Sequence, residues 1–221
     1  AYIFKTNTSG YYYEHGHIKG FSHSRLSGTG AEDYQMFRVT PAIGNKDAGV
    51  LIYSHLYESA VPGYYAVYLP SIDCLAEFTA DIHTGIHRYT FGSSSDARLY
   101  IDVTSTAGNY NASKGTVNVD ENGVITGSAE LGAAFSSRYD GLPVYFAAVA
   151  DKEIKSYEII GDGEDLAIDL NFGNLEDQPL EMKVGISFIS TENALQNLKA
   201  EADGLTFDDV LLIPAKSDVL P

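Results

Sequence analysis

Cysteine is almost absent: Cys74 is the only one in 221 residues. A single thiol forms no intrachain disulfide and no cysteine-rich zinc site. It sits in an apolar run with Ile72, Leu75 and Ala76, the setting of a buried, inert thiol rather than a nucleophile. Basic residues are scarce as well. Fourteen Lys plus Arg stand against 30 Asp plus Glu, for a formal charge of −16. That deficit argues against nucleic acid and anionic membranes as partners, because phosphates are held by Lys and Arg. From Asp151 onward, 16 acidic residues face 5 lysines, which reads as a solvated, self-repelling surface more than a site. No stretch approaches 18 apolar residues, so no helix is long and apolar enough to span a membrane. Residues Ala1 to Lys5 already read as strand, with no signal peptide ahead of them. A Gly-x-Ser-x-Gly elbow, a P-loop and a dinucleotide fingerprint are also missing.

What is present reads as strands. Hydrophobic residues make up 44% of the chain, enough for a proper core. Its length suits one large β-domain or two small ones. Leu99, Ile101 and Val103 alternate with Tyr100 and Asp102. Leu166, Ile168 and Leu170 alternate with Ala167 and Asp169. Met182, Val184, Ile186 and Phe188 alternate with Lys183, Gly185 and Ser187. Each pattern buries one sheet face and wets the other. Asn122-Gly123, between two β-rich runs, signals a hairpin. Leu142 to Ala150 is apolar on both faces, as suits a strand inside a sandwich. Turn clusters recur at Pro62-Gly63, Gly92-Ser93-Ser94-Ser95 and Gly161-Asp162-Gly163. The expected fold class is all-β, an antiparallel β-sandwich. One helix is expected near the C-terminus. Ser190 or Thr191 caps it, Glu192 lies in its first turn, Ala194, Leu195, Leu198 and Ala202 recur at helical spacing, and Gly204 ends it.

Polar chemistry concentrates in Gly20-Phe21-Ser22-His23-Ser24-Arg25-Leu26-Ser27-Gly28-Thr29-Gly30, followed by Asp33. Glycines let a backbone approach a ligand, and hydroxyl, imidazole and guanidinium groups read a polyhydroxyl ligand such as a sugar. The same residues equally suit a polar loop tied together by its own side chains. Thirty carboxylates make pairs at any chosen spacing, so no acid and base can be assigned from the sequence. His83 and His87 are four apart. In a strand that places them on one face about 13 Å apart, too far for one zinc ion.

Gly20 to Gly30 resembles the Gly-Phe-Ser-His-x-His-Leu-Ser-Gly motif near the start of glycoside hydrolase family 92, the calcium-dependent exo-acting α-mannosidases. Three further stretches resemble that family in the same order: Pro62-Gly63-Tyr64-Tyr65, then Gly85-Ile86-His87-Arg88-Tyr89-Thr90-Phe91 with Glu77-Phe78-Thr79-Ala80 before it, then Val184 to Ser190 with Glu192, Ala194, Asn197 and Leu198. The resemblance covers roughly residues 10 to 210. It implies a large mutarotase-like supersandwich, residues 1–203, followed in the complete enzyme by a helical toroid. The toroid is expected to supply the general acid, the general base and the calcium ligands for an inverting hydrolysis of terminal α-1,2-mannosides. This chain is then expected to hold no catalytic residue and no metal of its own. Its candidate substrate-binding residues are His23, Arg25, Asp33, His87 and Arg88. Arg25 departs from the family's second His, and the missing Trp departs from its aromatic-lined sugar subsites.

Expected partners are α-mannoside glycans and the helical domain, with a homodimer through the exposed domain interface as the alternative. The family favours a secreted, periplasmic or cell-surface location. A stand-alone carbohydrate-binding or structural interaction module is the competing reading. Residues 204–221 resemble the opening of inosine monophosphate dehydrogenase, without its catalytic loop or nucleotide site. Pro214 stops a helix there, so this tail is expected to be extended or disordered, as a fusion junction or the start of the linker to the helical domain.

Overall fold

The computed structural model describes residues 13–25, 34–44, 49–92, 96–106, 112–133 and 135–202. In chain order the strands are β1 (His17–Ile18), β2 (Phe21–Arg25), β3 (Tyr34–Ile43), β4 (Leu51–Ile52), β5 (Glu58–Val61), β6 (Tyr64–Leu69), β7 (Cys74–Ala80), β8 (Thr84–Phe91) and β9 (Asp96–Asp102). They continue as β10 (Ala112–Val119), β11 (Ile125–Leu131), β12 (Leu142–Ala150), β13 (Ser156–Ile160), β14 (Ala167–Asn174) and β15 (Leu180–Ser187), and helix α1 (Thr191–Ala202) follows. An eight-stranded sheet has the order β10-β11-β12-β15-β8-β7-β6-β5, and a five-stranded sheet the order β13-β14-β9-β3-β2. Every pair in both is antiparallel. This is the antiparallel sandwich expected of the alternating runs.

The two sheets meet through aromatic and branched side chains. Phe37 of β3 and Phe146 of β12 meet across the gap with ring centroids 4.5 Å apart and planes tilted by 42°, and both are fully buried. Fully burying one such side chain contributes about 2–3 kcal/mol. The doubly apolar run Leu142–Ala150 is strand β12, deep in the larger sheet. Val144, Phe146 and Ala148 point into the core. Ala147 points the other way, beneath Ala194 and Leu198 of α1. A strand covered by a sheet on one side and a helix on the other is apolar on both faces for that reason. The Ser190 hydroxyl accepts from the Asn193 N–H at 3.1 Å and starts the helix, so Ser190 rather than Thr191 is its cap.

The Asn122-Gly123 signal marks the β10–β11 hairpin, although the turn is wider than two residues. Asp120 Oδ1 accepts from the N–H groups of both Asn122 and Val124, and Gly123 takes φ +77°. The acidic C-terminal third is less uniformly solvated than its composition predicts. Asp169 of β14 is buried, because Arg98 of the neighbouring β9 folds its guanidinium over it, with Nε donating at 3.0 Å. A buried carboxylate needs such a partner. Cys74 is buried as expected, and burial pushes its thiol far up from the ordinary range. The opening strand, the Gly28-Thr29-Gly30 stretch, Ser93 to Ser95, Gly204 and the tail lie outside the described residues.

Candidate functional site

A β-bulge builds the site. Strand β2 pairs with β3 so that Phe21 faces Val39 while His23 faces Met36. Phe37 and Arg38 therefore stand opposite Ser22 alone, and Phe37 takes a left-handed φ of +51°. The irregular register frees the Phe37 carbonyl from the ladder. It accepts instead from the His23 ring, Nδ1 to oxygen 2.9 Å. Phe21 and His23 both point inward, toward the eight-stranded sheet. Phe21 meets Phe78 of β7 with ring centroids 4.0 Å apart. His23 stacks on His87 of β8 at 4.9 Å, with Nε2 to Nε2 3.0 Å. The two histidines of the sequence motifs, 64 positions apart, are thus brought into direct contact.

The protons on this pair follow from chemistry. A carbonyl oxygen only accepts, so the His23 proton is on Nδ1 and its Nε2 is an acceptor. His87 Nε2 must then donate to it, which leaves His87 Nδ1 to accept from the Tyr89 hydroxyl 2.8 Å away. Both rings are neutral and every ring nitrogen is used. Burial agrees: it pushes His23 down to about 4, and burial together with the neighbouring His23 ring holds His87 well below the ordinary value. Gly85 leaves the room for this stack. A Cβ there would lie 3.1 Å from both Cδ2 and Nε2 of His23.

The His23–His87 stack lies in a groove of about 1030 Å³ where the sandwich opens. Its walls are β2, the β5–β6 and β7–β8 turns, and the link from β15 into α1. Exposed apolar side chains rim it, among them Val61, Ile82, Phe188 and Ile189. Polar groups from the helix and the strand ends converge beside them, including Ser22, Ser24, Asn193 and Asn197. A concave apolar site with a few convergent polar groups is the usual form of a ligand pocket. Asp81 is the only carboxylate among the described residues that line it.

The sequence-nominated residues separate here. His23 and His87 line the groove. Arg88, next in the chain, faces the outer side of the sheet, where its Nε donates to Glu181 Oε1 at 2.8 Å. The side chain of Arg25, and Asp33, lie outside the described residues. His83 sits in the turn before β8 rather than in the strand, so it does not share a strand face with His87; it lines the groove from that turn. The sequence reading missed Asn193, which lines the groove from the helix. Asn197 was quoted only as part of the family resemblance. Amide side chains on the groove side of a helix next to a strand end were the available signal.

The glycosyl hydrolase family 92 N-terminal domain matches residues 4–187. The chain belongs to glycosyl hydrolase family 92. Among solved structures, this family 92 chain is similar to the family GH92 α-mannosidase BT3965 from Bacteroides thetaiotaomicron. The identity is 28%, the TM-score 0.83, and the match covers 92% of this chain and 31% of that one. The same enzyme in complex with mannoimidazole matches with the same identity and TM-score, over 92% and 30%. The GH92 family glycosyl hydrolase ccman5 shares the fold at 23% identity and a TM-score of 0.74, over 91% and 30%. The family 92 domain described here therefore spans under a third of the length of these relatives. No curated protein sequence matches it.

Proposed function

We propose that this domain is the substrate-shaping sandwich of an inverting, calcium-dependent α-mannosidase, and that it is inactive without the enzyme's helical domain. The observation that carries this reading is the carboxylate content of the groove. Inverting hydrolysis needs an acid and a base about 6.5–9.5 Å apart, with room for water between them. Asp81 alone among the described lining residues has a carboxylate, so the described lining does not hold such a pair. Calcium takes six to eight oxygen ligands. The described residues do not fit it: they contain no cluster of three His, Cys, Asp or Glu side chains placed to hold a metal. The reading assigns acid, base and calcium to the helical domain.

This chain's share of the chemistry is then steric and polar. Apolar rim residues exclude water around a bound sugar. Serine and asparagine side chains offer donors and acceptors to its hydroxyls. The similarity to an α-mannosidase solved with mannoimidazole supports α-mannosides as the glycan class.

The test is an assay of mannose release from 4-nitrophenyl α-mannoside and α-1,2-mannobiose. The 221-residue chain alone is expected to release none, and the chain joined to a family 92 helical domain is expected to release mannose. Turnover by the chain alone overturns the proposal.

A further inference from the structure

We infer that the Tyr89–His87–His23 hydrogen-bond chain sets the width of the groove mouth, with Tyr89 as its positioning residue, and that other groups read the occupant of the groove. This deepens the reading above, and rests on it only for what the occupant is.

Three observations carry it. First, the contact joins the two layers at an edge strand. Strand β2 is the edge of the five-stranded sheet, and among the described strands its backbone pairs with β3, through a bulge. Its inward anchors to the larger sheet include Phe21 on Phe78 and His23 on His87. Ser22 and Ser24, on either side of His23, line the groove, so the position of His23 is the position of that wall. Second, the chain has one direction. The Tyr89 hydroxyl donates to His87 Nδ1, His87 Nε2 donates to His23 Nε2, and His23 Nδ1 donates to the Phe37 carbonyl. Without the tyrosine hydroxyl, His87 Nδ1 is left a buried acceptor with no donor, while His23 Nε2 still holds the His87 proton on Nε2. That unmet acceptor favours a His87 ring shifted toward another donor, which loosens its contact with His23 and with it the β2 wall. Third, no ring nitrogen of the pair is left for a ligand, and both side chains are buried. A sugar hydroxyl could bind one only by breaking the chain.

The experiment uses the 221-residue chain with ¹⁵N-labelled histidine at neutral pH. Long-range ¹H–¹⁵N spectra are expected to show His23 protonated at Nδ1 and His87 at Nε2, each as a single tautomer. Tyr89→Phe is expected to keep the His87 proton on Nε2, to shift its unpartnered Nδ1 resonance, and to speed amide exchange in Phe21–Ser24 by about tenfold, while β9 and β14 keep their protection. Gly85→Ala provides a second route. Its methyl displaces the His23 ring and should loosen β2 while His87 keeps its tautomer. A wild-type His87 carrying its proton on Nδ1 overturns the inference. So does unchanged β2 exchange in Tyr89→Phe, or equal loss of protection in every strand. Methyl α-mannoside titrated onto the wild type separates the two readings. Expected tautomers without shifts at the groove leave the positioning role standing and count against the mannoside.

Discussion

His87 and Arg88 are adjacent in the chain and end on opposite faces of the eight-stranded sheet. His87 touches His23 across the interior at 3.0 Å, while Arg88 donates to Glu181 on the outer face at 2.8 Å. Strand geometry requires this, since successive side chains point to opposite sides. Glu77 is the cross-strand neighbour of Arg88 on the other flank, and the Tyr64 hydroxyl donates to it at 2.8 Å. Arg88 therefore neutralises Glu181 and stands between it and Glu77 on the far side of β8.

Arg88→Ala is expected to destabilise the fold by about 1–2 kcal/mol, by removing a partly buried charged hydrogen bond and leaving Glu181 without its cation. It should leave any sugar affinity of the groove unchanged. Urea unfolding and a sugar titration on the same variant check both parts. A loss of affinity with unchanged stability would return Arg88 to the site.

Acid should weaken the fold through His23. Unfolded, the ring titrates near its ordinary 6.5; folded, burial pushes it down to about 4. As pH falls, the unfolded chain takes up the proton first. The stabilisation is fully present above about 6.5, is lost between there and about 4, and then levels off. The shift corresponds to about 3 kcal/mol. His87, which faces only His23 and Tyr89 among the titratable groups hydrogen-bonded to it, pulls in the same direction. Unfolding free energies measured at pH 7 and pH 4.5 should differ by less in His23→Gln than in the wild type. Equal slopes in the two proteins would refute the prediction.

The architecture was legible wherever one residue pattern met one environment. The run Leu142–Ala150 announced a strand covered on both sides, and it is one. The histidine contact was not legible, although both histidines stood out. Whether positions 64 apart meet depends on which strands face each other and on a bulge in β3, and neither leaves a local mark. Arg88 shows the converse: it is named beside His87, and period-two geometry sends the two side chains to opposite faces, Arg88 to an ion pair with Glu181. Gly185 read as one more outward-facing residue of β15. Its reason lies in a helix that the alternation pattern does not reveal.

That reason is testable. A Cβ on Gly185 would lie 2.7 Å from the Ala194 carbonyl oxygen and 2.8 Å from the Leu198 nitrogen, both helix backbone atoms that cannot rotate aside. Gly185→Ala must lift α1 off β15. The expected cost is about 1–3 kcal/mol, typical of overpacking a close contact. Thermal unfolding measures it. Since α1 carries Asn193 and Asn197 into the groove, the amide signals of Ile186 to Ile189 should shift as well. A melting temperature equal to the wild type would mean that the helix sits farther from the sheet than described.

His55 should behave in the sense opposite to His23. Its Nε2 faces the Tyr13 carbonyl at 2.5 Å and its Nδ1 faces Glu58 Oε2 at 2.5 Å. Both partners accept, so the ring must carry both protons to satisfy them. Tyr13 stacks on the ring at 4.1 Å, Tyr53 meets it edge-on at 5.3 Å, and the other oxygen of Glu58 accepts from Tyr65 at 2.7 Å. The hydrogen bond to Glu58, then that to the Tyr13 backbone, raise the His55 pKa above its ordinary 6.5. A raised value reverses the sign. The stabilisation is present below about 6.5 and is lost as pH climbs through the folded value. Titrating the His55 ring protons by NMR should give a midpoint above the ordinary one. Glu58→Gln should bring it back down and free the Tyr13 ring from its stack. A wild-type midpoint at or below 6.5 would mean that the ring is neutral and that one of the two contacts is not a hydrogen bond.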